Sequence, residues 1–218
     1  MQRLITLTFD NGPTEITTPK VLHILEKYKI SSTFFAVGKN LVSLKGQDLI
    51  KLVKAGGHRI GNHTFSHTIP FGENTDPRIC DYEVEKTQKL LGESSENDRL
   101  FRPFGKGGLL GKHLFSRALL KHIFLEKYTC VLWNCVPRDW ENPDTWPETA
   151  LHQCSQKDWS LVVLHDEEER AMLQLEAFIQ KALDSGFAFV QEFPADCVPI
   201  RRGVPVLPIE HLTGNPAG

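Results

Sequence analysis

Leu4-Ile5-Thr6-Leu7-Thr8-Phe9-Asp10-Asn11-Gly12-Pro13 opens the chain as a short apolar run that breaks at an acidic turn. A run of this length, rich in Ile, Leu, Phe and Thr and closed by Gly-Pro, reads as a strand over 4–9 with apolar cover on both faces. Strands of that kind belong to parallel sheets, where helices pack on the faces. The pattern repeats down the chain. Further strands are predicted at 32–37, 59–62, 100–103, 129–134, 160–165 and 187–191, about seven in all.

Between them lie stretches of helical period. Val21, Leu22, Ile24, Leu25 and Tyr28 share one side of 19–28, and 47–55 ends at Gly56-Gly57, a usual helix stop. Asp76-Pro77 starts a helix that presents Cys80, Val84, Thr87 and Leu91 at helical spacing, and 111–127 and 167–185 are predicted helical as well. Alternation of this kind predicts an α/β fold, a distorted (β/α)7–8 barrel in a single domain, with an open doubly wound sheet as the runner-up. The barrel is expected to span 1–191. The Pro-rich remainder, 192–218, is expected as an irregular tail packed on the barrel or trailing from it, with a frayed end.

Composition narrows the function. The chain has 218 residues, 40% hydrophobic and 24% charged, with a net charge of -2 and no basic stripe, so nothing attracts it electrostatically to nucleic acid or an anionic membrane. The start lacks the pattern of a secretory signal and no apolar run approaches membrane-spanning length, so the expected location is cytoplasmic. The five cysteines form no CxxC pair, which argues against a disulfide framework or a thiolate zinc site and for buried small hydrophobes.

The candidate chemistry sits where strands give way to loops, and in parallel α/β folds those ends form one rim. Asp10 follows the first strand, His63 and His67 the third, Arg102 the fourth, Asp139 the fifth and His165 the sixth. His63 and His67 are four apart, so on a helical turn their rings project from one face and can share a cation; Asn62 and Ser66 are polar neighbours able to orient them. Arg102, at the end of an apolar strand, needs an anion, and Asp10 is the obvious one. Asp139 can raise the basicity of His165, while Trp140 and Leu164 can wall a pocket for a small acyl group. Asp166, Glu167, Glu168 and Glu169 read most simply as an acidic helix start.

These segments resemble the polysaccharide deacetylase family, the metal-dependent carbohydrate esterases that share the chitooligosaccharide-deacetylase domain. The resemblance rests on Thr8-Phe9-Asp10-Asn11-Gly12-Pro13, His63-Thr64-Phe65-Ser66-His67, Arg102-Pro103-Phe104, Arg138-Asp139-Trp140 and Leu164-His165, in that order over roughly 4–191. It implies a hydrolase that removes an N-acetyl group from an amino sugar or oligosaccharide with a divalent metal, zinc by preference. His63, His67 and Asn11 would hold the metal, Asp10 would be the general base and Arg102 would orient it. The backbone N–H of Phe104 would stabilise the oxyanion, His165 tuned by Asp139 would protonate the amine, and Trp140 and Leu164 would wall the acetyl pocket.

Two positions depart from the family pattern. Asn11 stands where the third protein ligand is usually an aspartate, which implies metal binding weaker by at least about tenfold. Val136 stands where many relatives carry another acidic residue. The departure at Asn11 keeps two other readings open: a catalytically impaired carbohydrate-binding protein on the same fold, and a hydrolase of another non-peptide amide.

Overall fold

A computed structural model describes residues 2–214 of the protein. At its centre lies β1 (Leu4–Asp10), which buries Ile5, Leu7 and Phe9 completely on one face and turns Thr8 and Asp10 to the other, where both meet Arg102. The two-residue period of a strand makes this division. The apolar face packs on α1 (Thr17–Lys27), where Val21 and Leu25 sit one turn apart.

Six strands run parallel around a curled sheet: β6 (Trp159–His165), β1, β2 (Thr33–Ala36), β3 (Arg59–Asn62), β4 (Leu100–Phe101) and β5 (Thr129–Cys130). A seventh, β7 (Ala188–Phe189), pairs in parallel with Leu4 and Ile5 of β1. The two ends of the curl meet beyond β5. There Cys135 N–H donates to Leu161 O and Val163 N–H donates to Cys135 O, a single parallel bridge onto β6. The expected distorted single-domain α/β barrel is therefore what forms, and closure through one bridge is what distorts it.

Two apolar clusters hold the barrel. One lies between the sheet and α1, α2 (Leu44–Ala55), α5 (Trp146–Ser155) and α7 (Leu175–Asp184), and contains Phe9, Leu164, Trp146 and Phe178. The other contains Phe35, Phe101, Leu161 and Val163, together with Leu119 and Ile123 of α4 (Arg117–Leu125). Serines cap two of these helices: Ser43 accepts from Gly46 N–H and Ser116 from Leu119 N–H.

All seven expected strands are present, four with shorter bounds, and five expected helical stretches contain helix. The structure adds α5, which periodicity does not reveal. Its buried stripe is Trp146, Ala150 and Cys154, two of them small, and Pro147 lies in its first turn. The expected helix 167–185 is two pieces, α6 (Glu169–Met172) and α7. The stretch after Asp76 is helical from Ile79 and contains a single π-helical turn, Asp81–Glu85, before α3 (Lys86–Leu91).

The segment after 191 is less irregular than expected. β8 (Ile200–Arg201) pairs antiparallel with β5 and with β9 (Val204–Pro205), and Cys197 and Ile200 are buried in the second cluster. The last residues of that tail, 215–218, where a frayed end is expected, lie outside the described residues. All five cysteines are free and buried. Among the described residues no helix is long and apolar enough to cross a membrane.

Candidate active site

The register of β1 against β6 places Asp10 directly opposite His165, so a carboxylate and an imidazole leave adjacent strands at one rim. Arg102, one residue past β4, arrives beneath them. Its Nη1 donates to Asp10 Oδ1 at 2.7 Å and to Thr8 Oγ1 at 2.8 Å. Its Nε donates to Val131 O and its Nη2 to Leu132 O. Arg102 has no solvent exposure and Asp10 only 3%, and a buried cation is tolerable only with this degree of pairing. Burial pulls the Arg102 pKa down, and Asp10 opposes that pull. With Oδ1 taken, Asp10 turns Oδ2 toward His63, 3.5 Å from its Nε2.

His63 is oriented from behind. Its Nδ1 lies 2.8 Å from Arg102 O, and a carbonyl can only accept, so Nδ1 carries the hydrogen and Nε2 keeps its lone pair. Burial pushes the His63 pKa down to about 3 and the His67 pKa to about 2, so both rings are neutral near pH 7. The contact between His63 and Asp10 is accordingly not an ion pair at that pH.

The two rings stand 4.7 Å apart between centroids, but not on a helical turn as the spacing suggested. Residues 63–67 form an irregular loop in which Thr64 (φ 67°) and His67 (φ 56°) are left-handed. Buried polar contacts hold this conformation. Asn62 Oδ1 accepts from Thr64 N–H, and Glu83 Oε2 accepts from the N–H groups of Phe65 and Ser66, each at 2.8 Å. Ser66 hydroxyl also donates to Glu83. Such a concentration of strain on a loop carrying two candidate ligands is typical of sites that are fixed from outside.

On the other side of the rim Asp139, fully buried, binds His165 twice. Oδ1 accepts from the ring Nδ1 at 2.8 Å and Oδ2 from the backbone N–H at 2.9 Å. The ring is thereby fixed with Nε2 free. Burial alone would lower its pKa, but the hydrogen bond and charge of Asp139 outweigh burial and leave it raised. The Trp140 ring meets the His165 ring edge-on at 4.8 Å. A cavity of about 270 Å³ opens between these groups, walled by Asp10, Asn11, His63, His67, Trp140 and His165.

Leu164 does not reach this cavity. Strand alternation sends it to the helix-facing cluster, and Val163, two residues before His165, lines the wall instead. Phe104 is set on the side of the histidine pair, its ring 4.2 Å from the His67 ring. Asp166 is no exposed helix start: it is fully buried under the Gly12 turn, accepts from Thr18 hydroxyl, and burial raises its pKa to about 7. Sequence reasoning also missed Glu83 and Thr8. Thr8 shares the face of Asp10 by its period of two, a signal that was present. Glu83 carries none, because only the tertiary fold brings it under the histidine loop.

A closed ring of parallel strands with a carboxylate, paired imidazoles and a second histidine at its carboxyl rim defines a barrel hydrolase. The chain belongs to the polysaccharide deacetylase family. The model of that family matches residues 1–107. The chain is 30% identical over 196 residues to the peptidoglycan-N-acetylglucosamine deacetylase of Bacillus cereus, covering 87% of this chain and 86% of that one. It is 28% identical over 162 residues to the chitooligosaccharide deacetylase of Rhizobium leguminosarum bv. phaseoli, covering 73% and 66%. A solved peptidoglycan N-acetylglucosamine deacetylase, in complex with a 4-naphthalen-1-yl-N-oxidanyl-benzamide, superimposes with a TM-score of 0.72 at 25% identity, covering 86% and 85%.

Deacetylases of this family are generally metal-dependent. The residues here suit a divalent cation. Asn11 lines the same cavity as the two neutral imidazoles, and its side-chain Oδ1 is a buried amide oxygen with no hydrogen-bond donor among the described residues. Two imidazole nitrogens and a carbonyl oxygen make a three-ligand donor set. Among the described residues no three of His, Cys, Asp and Glu form such a set.

Proposed function

We propose that this protein is a metal-dependent hydrolase that removes N-acetyl groups from amino sugars within an oligosaccharide or glycan strand, with zinc as its cation. The observation that carries this reading is that Asp10 and His165, on paired strands, face one cavity with His63, His67 and Asn11. The named relatives, a peptidoglycan-N-acetylglucosamine deacetylase and a chitooligosaccharide deacetylase, support the substrate class.

An amide resists hydrolysis because water is a weak nucleophile and an amine a poor leaving group. A cation held by His63, His67 and Asn11 supplies Lewis-acid activation at this site. Asp10 accepts the proton of the attacking water at Oδ2, since Arg102 occupies Oδ1. His165 holds a proton on Nε2 and delivers it to the departing amine, while Asp139 keeps the ring from turning. Phe104 packs its ring on His67, and its backbone N–H would stabilise the developing oxyanion. Trp140 and Val163 wall the space for the acetyl methyl group. Acid, base and oxyanion groups each contribute roughly 10² to 10³-fold in rate.

Acetate release from N-acetylglucosamine oligomers tests the proposal. Release is expected with zinc, lost on chelation and restored on adding zinc back. The amide at position 11 favours one other reading, a sugar-binding protein that hydrolyses nothing. Failure of the folded wild-type chain to release acetate at any zinc concentration would overturn the proposal, and retained binding of the same oligomers would then support the sugar-binding reading.

A further inference from the structure

We infer that Glu167 is a positioning residue for the third metal ligand: its carboxylate turns the Asn11 amide so that oxygen, not nitrogen, faces the histidine pair. The inference rests on the assignment of His63, His67 and Asn11 as the metal-holding set.

A primary amide has two ends of nearly the same shape, and only the oxygen can bind a cation. Left free, the Asn11 side chain could present its NH2 group to the cavity. The structure shows what prevents this. Asn11 Nδ2 donates to Glu167 Oε1 at 2.5 Å, and a carboxylate can only accept, so the amide cannot turn without setting oxygen against oxygen. The outcome is the buried, donorless Oδ1 already described. The backbone is fixed as well: Asn11 is left-handed (φ 76°), a conformation asparagine tolerates, and its carbonyl accepts from Asn40 Nδ2 at 2.6 Å.

Glu167 supplies charge along with direction. An amide whose N–H is bound to a carboxylate carries more electron density on its oxygen, the condition of a better ligand. The negative charge that an aspartate would place on the cation is thus kept one hydrogen bond away. Glu167 stands on the cavity wall and is itself exposed, so removing its carboxylate leaves the core intact.

Zinc titration calorimetry on six proteins decides the matter: wild type, Glu167→Ala, Glu167→Gln, Asn11→Asp, the Asn11→Asp/Glu167→Ala pair and His63→Ala, each checked for an unchanged melting midpoint. Glu167→Ala should weaken zinc binding about tenfold or more, and Glu167→Gln, which keeps an acceptor, should recover part of that loss. In the Asn11→Asp background there is no N–H to orient. The two carboxylates would also stand side by side there, so removing Glu167 relieves their repulsion and should cost less than about fivefold, or strengthen binding. Equal losses in both backgrounds, or no loss in the first, would overturn the inference. Undiminished zinc binding by His63→Ala would instead overturn the ligand assignment beneath it.

Discussion

Arg102 Nη1 and Asp10 Oδ1 lie 2.7 Å apart in a place solvent does not reach, and the same guanidinium binds Thr8 and two backbone carbonyls. Neither partner has a substitute. Arg102→Met should therefore destabilise the fold by about 3–5 kcal/mol, since it strands a buried carboxylate. Arg102→Lys, a point charge without the fork, should recover only part of that loss. Urea unfolding measures both, and a loss below about 1 kcal/mol for Arg102→Met would show that the pair is not what fixes Asp10.

The pH profile should report His165. As the acid it must carry a proton, and its pKa is raised above the usual 6.5, so activity is present below that raised value and is lost as pH climbs through it. Its contribution to stability has the same sign: complete below 6.5, lost as pH rises through the folded value. Asp139→Asn removes the raising contact and leaves burial in control. The alkaline limb of kcat should then move to lower pH, and an unmoved limb would remove His165 from the acid's role.

His63 and His67 act in the opposite sense. Their folded pKa values of about 3 and about 2 lie below the 6.5 of an unfolded imidazole. The stability of the metal-free protein should be complete above 6.5 and fall as pH drops from there toward 3, because the unfolded chain takes up protons that the folded one refuses. Unfolding midpoints at pH 7 and pH 5 compare the two. In His63→Gln the difference between them should shrink.

Glu83→Ala should cost at least about 1–3 kcal/mol, because it leaves the N–H groups of Phe65 and Ser66 without their acceptor. It should also loosen His67 and weaken zinc binding. Normal zinc affinity in a destabilised Glu83→Ala protein would confine Glu83 to a structural role.

Gly12→Ala should destabilise by about 1–3 kcal/mol, since the added Cβ would sit 2.2 Å from Asp166 Oδ1, whose carboxyl group is also held by Thr18. Thermal melting measures it, and an unchanged midpoint would mean the turn above Asp166 yields freely.

Much of this architecture was legible in the chain because its signals are local. Apolar runs ending in Gly-Pro, Arg-Pro and Leu-His mark strands and their carboxyl ends, and parallel topology gathers those ends on one rim. Where information lies across the fold, local reading failed. Adjacency to His165 points to Leu164 as the pocket wall, whereas the strand's period of two selects Val163. The histidine loop looked helical from its spacing because Glu83 and Asn62, which hold it in left-handed turns, act through tertiary contacts. Helix α5 escaped because Ala150 and Cys154 are too small to give its buried stripe a strong apolar period. Asp166 looked like a helix start because nothing near it in sequence announces burial.

Anomalous diffraction at the zinc edge, on crystals grown with zinc and without chelator, tests the account most directly. It predicts a zinc peak in contact with the His63 and His67 imidazoles and the Asn11 side-chain oxygen. Zinc in excess with no density at those three residues, in an otherwise unchanged fold, would contradict it.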